Sequence, residues 1–399
     1  KNQLQAVKNG SPLIIGLGKD ANYIASDVWA LLDHTNRVIF MEDGQAATIS
    51  ASGVEMFDAA TGKILTPHIS ILNWQAQLAK LGRFHHFMEK EIYDQPKVID
   101  NLSRLKLKLP AAQKIYFLGC GTASYAAGFA ATLFKLNGIV AEAIVGSEFS
   151  QNLKLFKSDD LLAVFSQSGE TIDVVEAVNL AKARGLRIVG ITNVLGSTLY
   201  RKSDVKILLG AGQEVAVATT KALTAMLAVA LLLNKKSINR VGRAVRRLLT
   251  GPVRKQVKNL AKILKDSEHI FVVGRGLNFP IALEAALKIK EVSYIHAEAF
   301  AAGELKHGPI ALIDQGTPCL VFGDCLNSAY EMKARGGLII GIGPKSDKVF
   351  DIFLPVPDLN EATVIPMIVV AQLLAYDLAV SRGLNPDKPR NLAKSVTVK

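Results

Sequence analysis

Residues 161–171 read Leu-Leu-Ala-Val-Phe-Ser-Gln-Ser-Gly-Glu-Thr. Residues 161–165 are apolar and unbroken, the pattern of a short strand buried on both faces. Ser166, Gln167, Ser168, Gly169, Glu170 and Thr171 form a turn dense in hydroxyls, and Asp173 through Val178 open a helix. A strand that runs through a Ser/Gly turn into a helix N-terminus is an anion site. Free backbone N–H groups point outward there, and the helix dipole favours negative charge. The hydroxyls add donors, and no Lys or Arg fills the space. Ser and Thr are also ordinary helix caps, but three hydroxyls, a glutamine and a glycine in six residues exceed what a cap needs.

Outward from this stretch the chain alternates strands and helices. Residues 114–118 read as a strand, Gly119-Cys120-Gly121-Thr122 as a tight turn, and 123–136 as a helix. Further strands fall at 139–145, 186–192 and 205–209, with a helix running to Arg184 and a long apolar helix over 219–233. That order predicts an α/β fold with a doubly wound, flavodoxin-like parallel sheet. Ligands of such sheets bind outside the carboxyl ends of the strands, where both glycine-rich turns fall. The pattern then repeats at an offset of about 155 residues, which implies two copies of one domain. Residues 269–276 parallel 115–121, 318–322 match 161–165, and 338–342 match 186–191. After Phe322 the second copy has Gly323-Asp324-Cys325 instead of a hydroxyl cluster, and Asp324 would repel a phosphate. One phosphate site is therefore expected, in the first copy.

Composition sets the bounds. A chain of 399 residues, 49% hydrophobic and 21% charged, suits two or three domains with ample core. No run approaches the roughly 18 unbroken apolar residues of a membrane helix, and residues 1–3 show no signal peptide, so no membrane partner is expected. Cys120, Cys319 and Cys325 are an odd count, which argues for a reducing cytoplasm over a disulfide framework; Cys120 and Cys319 read as core residues. The net charge of +12 fits small anionic substrates as well as a polyanion. The densest basic run, Arg240, Arg243, Arg246 and Arg247, lacks interleaved aromatics and reads as a solvated helix face, so no nucleic-acid partner is expected. Residues 1 to about 70 are β-rich, with a hairpin expected between 37–41 and 46–49 through Glu42-Asp43-Gly44. Without an initiating Met, they read as the remainder of a larger domain. A polar linker and entry helix follow over 73–95.

The second copy carries charges in unusual places. Residues 280–294 read as a helix apolar almost all round, yet Glu284, Lys288 and Glu291 stand at i, i+4 and i+7 on one stripe. Buried charges are costly unless paired or functional. His307 follows in a loop, Gly303-Glu304-Leu305-Lys306-His307-Gly308-Pro309, and residues 387–399 form a polar tail with an apolar anchor.

Six segments in order then resemble the glucosamine-6-phosphate synthase family, the isomerizing glutamine–fructose-6-phosphate aminotransferases. They are GCGT (119–122), SQSGET (166–171), ATTK (218–221), ALEAALKIKE (282–291), GELKHGP (303–309) and PRNLAKSVTV (389–398). The resemblance implies two sugar-isomerase (SIS) domains after the tail of a glutaminase (Ntn-type) domain. The boundaries would be 1–72 for the glutaminase remnant, 73–240 and 241–386 for the SIS units, and 387–399 for the tail.

The resemblance also implies roles. Thr122, Ser166, Gln167, Ser168 and Thr171 would hold the sugar phosphate, with Ser124 or Ala123 beside them, and Val217 and Thr219 would line the sugar. Glu291 would move a proton between C1 and C2, a step that suits a carboxylate, with Lys288 assisting. Lys394 would form a Schiff base with the ketose, and His307, from the neighbouring subunit of a homodimer, would open the ring. Fructose 6-phosphate, glucose 6-phosphate and glucosamine 6-phosphate would be the sugar partners, and no cofactor or metal is called for. Glutamine would enter through a glutaminase domain whose nucleophile, an N-terminal Cys, is absent where Lys1 stands first. Such a chain alone would act as a fructose/glucose 6-phosphate isomerase. Residues 324–333 and 234–239 look short for the family. The alternatives are a non-catalytic SIS sugar-phosphate sensor, which has no use for Glu291, His307 and Lys394 together, and a sugar-phosphate deaminase or isomerase.

Overall fold

A computed structural model of the chain describes residues 3–72 and 80–397. The first part of the expected linker, 73–79, lies outside the described residues, as do the last two residues of the tail.

The β-rich segment folds as two antiparallel four-stranded sheets. One takes β1 (Gln3–Val7), β5 (Gln45–Ser50), β6 (Val54–Asp58) and β7 (Ile64–Leu65); the other takes β3 (Asn22–Ala25), β2 (Ile14–Leu17), β4 (Arg37–Phe40) and β8 (Ile69–Ile71). They pack over Ala47, Ile49 and Met56 from the first sheet and Ile15 and Ile39 from the second. The expected hairpin between 37–41 and 46–49 does not form: β4 pairs with β2 and β8, while β5 pairs with β1 and β6. The apolar residues of both strands meet across the sandwich core, so the chain must cross between sheets. Asp43 serves that crossing, accepting hydrogen bonds from Lys8 Nζ at 2.5 Å and Gly10 N at 2.7 Å.

Helix α1 (Phe87–Leu102) leads into the first α/β unit. That unit comprises β9 (Ile115–Gly119), α2 (Thr122–Leu136), β10 (Ala141–Val145), β11 (Leu161–Ser166), α3 (Ile172–Ala183), β12 (Arg187–Thr192), α4 (Thr198–Lys202), β13 (Val205–Leu208) and α5 (Lys221–Leu233). Its parallel sheet has the order β10-β9-β11-β12-β13. Two basic helices, α6 (Val241–Thr250) and α7 (Pro252–Leu264), bridge to the second unit; Arg243, Arg246 and Arg247 are exposed on α6 as read, and Arg240 is exposed just before it. The second unit comprises β14 (His269–Gly274), α8 (Asn278–Ser293), β15 (His296–Ala301), β16 (Pro318–Phe322), α9 (Leu326–Lys333), β17 (Leu338–Gly343), β18 (Ile352–Pro355) and α10 (Val364–Ser381). Its order, β15-β14-β16-β17-β18, repeats the first. The repeat reaches into detail: a Cβ on Gly119 would sit 2.4 Å from the Ala123 carbonyl carbon, and one on Gly274 2.2 Å from Asn278 O. In both copies only glycine lets the helix turn back this close to its strand.

One apolar core runs through both units, from Phe117 and Phe165 to Val272 and Leu320 by way of α2, α5, α8 and α10. α10 is long and apolar enough to cross a membrane by composition, but 94% of its apolar window is buried inside the protein. The shared core fixes α8 of the second unit against α2 of the first.

Candidate active site

In the first unit β9 has β10 on one side and β11 on the other, so the loops leaving β9 and β11 diverge. A cavity of about 210 Å³ opens there. Gly121, with φ of +52°, starts α2 and puts Thr122 and Ala123 at its edge. Ser124 is not brought in: its hydroxyl donates back to the Gly121 carbonyl at 2.7 Å, and Ala123 lines the cavity instead. Cys120 also lines it, half-buried at the edge of the core that includes Leu118 and Val164. Burial pushes its thiol up to about 11, so it stands there as a neutral wall.

The floor is the turn after β11. Ser166, Gln167, Ser168 and Thr171 all line the cavity. The Ser166 hydroxyl accepts from Gly169 N at 2.9 Å and the Ser168 hydroxyl from Glu170 N at 3.1 Å, so the first two serines shape the turn. Thr171 is the residue before α3, and its side chain caps no helix N–H. Gly169 is required here. Its φ is +70°, and a Cβ would lie 2.2 Å from Ser197 Oγ.

The second unit supplies one wall through α8. Glu284 and Lys288 are fully buried and Glu291 is about four-fifths buried. Lys288 Nζ donates to Glu291 Oε2 at 2.5 Å and to Thr122 Oγ1 at 3.0 Å, and Thr122 donates to Glu284 Oε1 at 3.2 Å. Thr122 therefore ties α2 to the α8 stripe besides facing the cavity. Burial alone would lower the Lys288 pKa, but Glu284 and Glu291 outweigh it and push it up to about 12. Burial pushes the Glu284 carboxyl up to about 8, against the pull of Lys288. Its Oε2 has no partner, and Lys288 is 3.5 Å from Oε1, farther than from Glu291.

The tail closes the cavity and is no frayed end. Asp387 accepts from the N–H groups of Phe87 and Met88, both at 2.8 Å, and so caps α1 from across the chain. Its carbonyl accepts from Val217 N at 3.0 Å. Farther on, Ser395 Oγ donates to Ser168 Oγ at 3.1 Å, and Val396 O accepts from Ile172 N at 3.0 Å. Between these anchors Lys394 reaches in, with Nζ donating to the Ala216 carbonyl at 2.7 Å and to Glu214 Oε2 at 3.1 Å. Burial raises the Glu214 pKa, yet Lys394, the Thr220 N–H, Lys221 and the Ala222 N–H together hold it below the usual carboxylate range. Val217 and Thr219 line the same cavity.

Ten of the twelve residues singled out by sequence thus meet at one cavity. Ser124 turns away, and His307 sits exposed on the short helical turn Leu305–His307 and does not line the cavity of its own chain. Sequence reading missed Glu214, Ser395 and Asp387. A signal existed for Glu214, an acid set directly before an apolar run; the other two act through contacts far apart in sequence.

The SIS domain family matches residues 108–235 and 263–382, which fall on the two α/β units. A glutamine--fructose-6-phosphate aminotransferase [isomerizing] from Pyrobaculum aerophilum is 40% identical over 98% of this chain and 70% of its own length. Its counterpart from Pyrococcus horikoshii is 40% identical over 99% of this chain and 72% of its own. Among solved structures, the C-terminal domain of glucosamine-fructose-6-phosphate aminotransferase from Francisella tularensis superposes with a TM-score of 0.71 at 29% identity, covering 78% of this chain and all of that one. A glucosamine-6-phosphate deaminase from Thermotoga maritima superposes with a TM-score of 0.66 at 27% identity over 78% of this chain and 99% of that one.

Proposed function

The chain belongs to the SIS-domain family of isomerizing glutamine--fructose-6-phosphate aminotransferases, and on that premise we propose that its cavity converts fructose 6-phosphate to glucosamine 6-phosphate. The observation that carries this reading is the convergence of Lys394 from the tail and Glu291 from the second unit on a cavity floored by the hydroxyl turn of the first. A site that only bound a sugar phosphate would need the turn alone.

The phosphate sits on the turn 166–171, held by hydroxyls and the N–H groups at the start of α3. Lys394 Nζ attacks C2 of the open ketose and water leaves, which gives an iminium whose positive nitrogen acidifies the C1 proton. Ammonia displaces the lysine from C2 and takes its place on the sugar. Glu291 accepts the C1 proton and returns it at C2 while the C1 hydroxyl becomes the aldehyde. Lys288, 2.5 Å from Glu291 Oε2, balances the charge of that carboxylate between transfers. Ring opening falls to His307 of a second copy. Residues 3–72 belong, in this reading, to the domain that frees ammonia from glutamine, and the three free cysteines suit a reducing cytoplasm. The likeness to a deaminase favours one second reading, the same chemistry run from amino sugar to ketose.

Borohydride reduction of the protein with labelled fructose 6-phosphate tests the assignment. Label is expected on the tail peptide that contains Lys394 and is lost in Lys394→Ala. Glu291→Gln should still trap label but lose turnover. Bound sugar with no label, or label on another lysine, would overturn it. Initial rates measured from both sugars decide between synthesis and deamination.

A further inference from the structure

Glu91 is a buried carboxylate that the chemistry above leaves unused. It lies on α1 and is fully buried. Its Oε1 accepts from Val215 N at 2.5 Å and from Ala216 N at 3.3 Å, while Oε2 has no partner. The inward face of α1 is otherwise largely apolar, with Met88, Ile92 and Ile99 buried beside it, and burying an acid in such a face costs stability. Packing of the helix does not explain it.

What Glu91 grips does. The segment 214–217 supplies the Glu214 carboxylate and the Ala216 carbonyl, which together hold Lys394 Nζ at the cavity, and sets Val217 in the cavity lining. The two amides bound by Glu91 stand between these groups. The Asp387 carbonyl grips the same segment at Val217 N, and the Asp387 carboxylate caps α1. Helix, segment and tail thus form one closed clasp around the lysine.

We propose that Glu91 is a positioning residue for Lys394, fixing the segment 214–217 so that the lysine amine stands at C2 of the ketose. The proposal rests on the reading of Lys394 as the Schiff-base lysine. Burial and the nearby Glu214 push the Glu91 carboxyl up to about 8. Glutamine therefore imitates the form it holds at neutral pH, and its amide oxygen can accept from the same two N–H groups. Alanine removes both bonds, and aspartate withdraws them by one methylene while leaving little void.

The experiment measures borohydride trapping at saturating fructose 6-phosphate, together with kcat and KM, on the full chain. Glu91→Ala and Glu91→Asp should slow trapping about tenfold to a hundredfold, and Glu91→Gln should stay within about threefold of the parent, as expected when a reacting group loses its alignment. KM in all three should stay within about threefold, because the phosphate turn is untouched. Parent-like trapping by Glu91→Asp and Glu91→Ala, a KM that rises as trapping falls, or a Glu91→Gln variant as slow as Glu91→Ala would overturn the proposal. Failure of the parent protein to trap at all would instead remove the Schiff-base reading, so the two failures are distinguishable.

Discussion

Lys288 stands almost fully buried between two carboxylates, so its neighbours' charge states depend on it. Lys288→Met would leave Glu284 and Glu291 facing each other with their shared cation gone. Breaking a buried pair from one side costs about 3–5 kcal/mol, and urea denaturation should show a loss of that order. Glu284 carries a pH signature. Its carboxyl is raised from the ordinary 4.5 to about 8 in the folded protein. Between those values the folded chain holds a proton that the unfolded chain has released. The linkage slope is then negative, and this group's contribution to stability falls as pH rises from 4.5 to 8. Glu284→Gln removes that term, so its stability curve should be flatter across the window. It should not become flat, since Glu91 is raised in the same direction. Equal slopes for Glu284→Gln and parent at pH 5 and pH 8 would show that Glu284 titrates normally. At this scale the sequence announced the charged stripe, because i, i+4 and i+7 spacing is local. It did not announce Thr122 as the stripe's partner, which lies more than 160 residues away.

Elements were legible where their signal was local. The strand and turn at 161–171, the repeat and the parallel order follow from apolar runs and turn residues a few positions apart, and β14 and β16 have the expected limits. The expected hairpin failed because Asp-Gly between two strands fits a turn within a sheet as well as a crossing between sheets, and only distant partners decide. α10 gives no periodic signal, since a helix buried all round has no polar face to mark its period, and it drew no reading. The seating of the tail was not legible either, because the contacts that hold it reach residues far away in sequence. Those anchors yield a test. Asp387→Ala deprives α1 of both N-terminal acceptors, which should cost about 0.5–2 kcal/mol, the ordinary value of a helix cap. Because the same residue seats the tail, hydrogen exchange at residues 388–397 should speed up more than the global stability change explains. Borohydride trapping at Lys394 should fall with it. A tail that exchanges at the parent rate in Asp387→Ala would mean that its contacts at Arg390, Lys394, Ser395 and Val396 hold it without Asp387.

At the scale of the whole molecule, the two units share a fold but have divided the chemistry. The first keeps the hydroxyl turn. In the second the matching turn holds Gly323 and Asp324, and a Cβ on Gly323 would lie 2.2 Å from Asn278 Nδ2, so that space is taken by a side chain instead of left for a phosphate. The second unit contributes α8 to its neighbour's cavity, and its histidine loop lies exposed away from that cavity. A ring-opening group must stand within hydrogen-bond reach of the sugar, and one chain does not bring His307 there. If His307 acts from the position it holds here, it acts on the cavity of another copy, and activity then depends on which chains meet. On the proposed reading, Glu291→Gln chains lack the proton carrier in their own cavity but offer a sound His307; His307→Ala chains offer the converse. In a mixed dimer one cavity combines two intact contributions and the other combines two defects. Random pairing of equal amounts makes about half of the dimers mixed, each with one working site of two, by the symmetry of a two-fold interface. Mixing the two inactive proteins should therefore restore about a quarter of parental turnover per chain, by the same two-fold symmetry. The measurement needs subunit exchange verified, for example by mass spectrometry of differently tagged chains. With exchange verified, recovery near that level supports a site shared between copies. No recovery from mixed dimers would mean that His307 reaches its own chain's cavity through a rearranged loop, a His307→Ala protein active on its own would mean that it takes no part in ring opening, and Glu291→Gln/His307→Ala double-variant chains paired with parent separate a site within one chain from a site shared between copies. Such pairs keep one working site in the first case and both defects stay in one cavity, whereas a shared arrangement spoils both cavities.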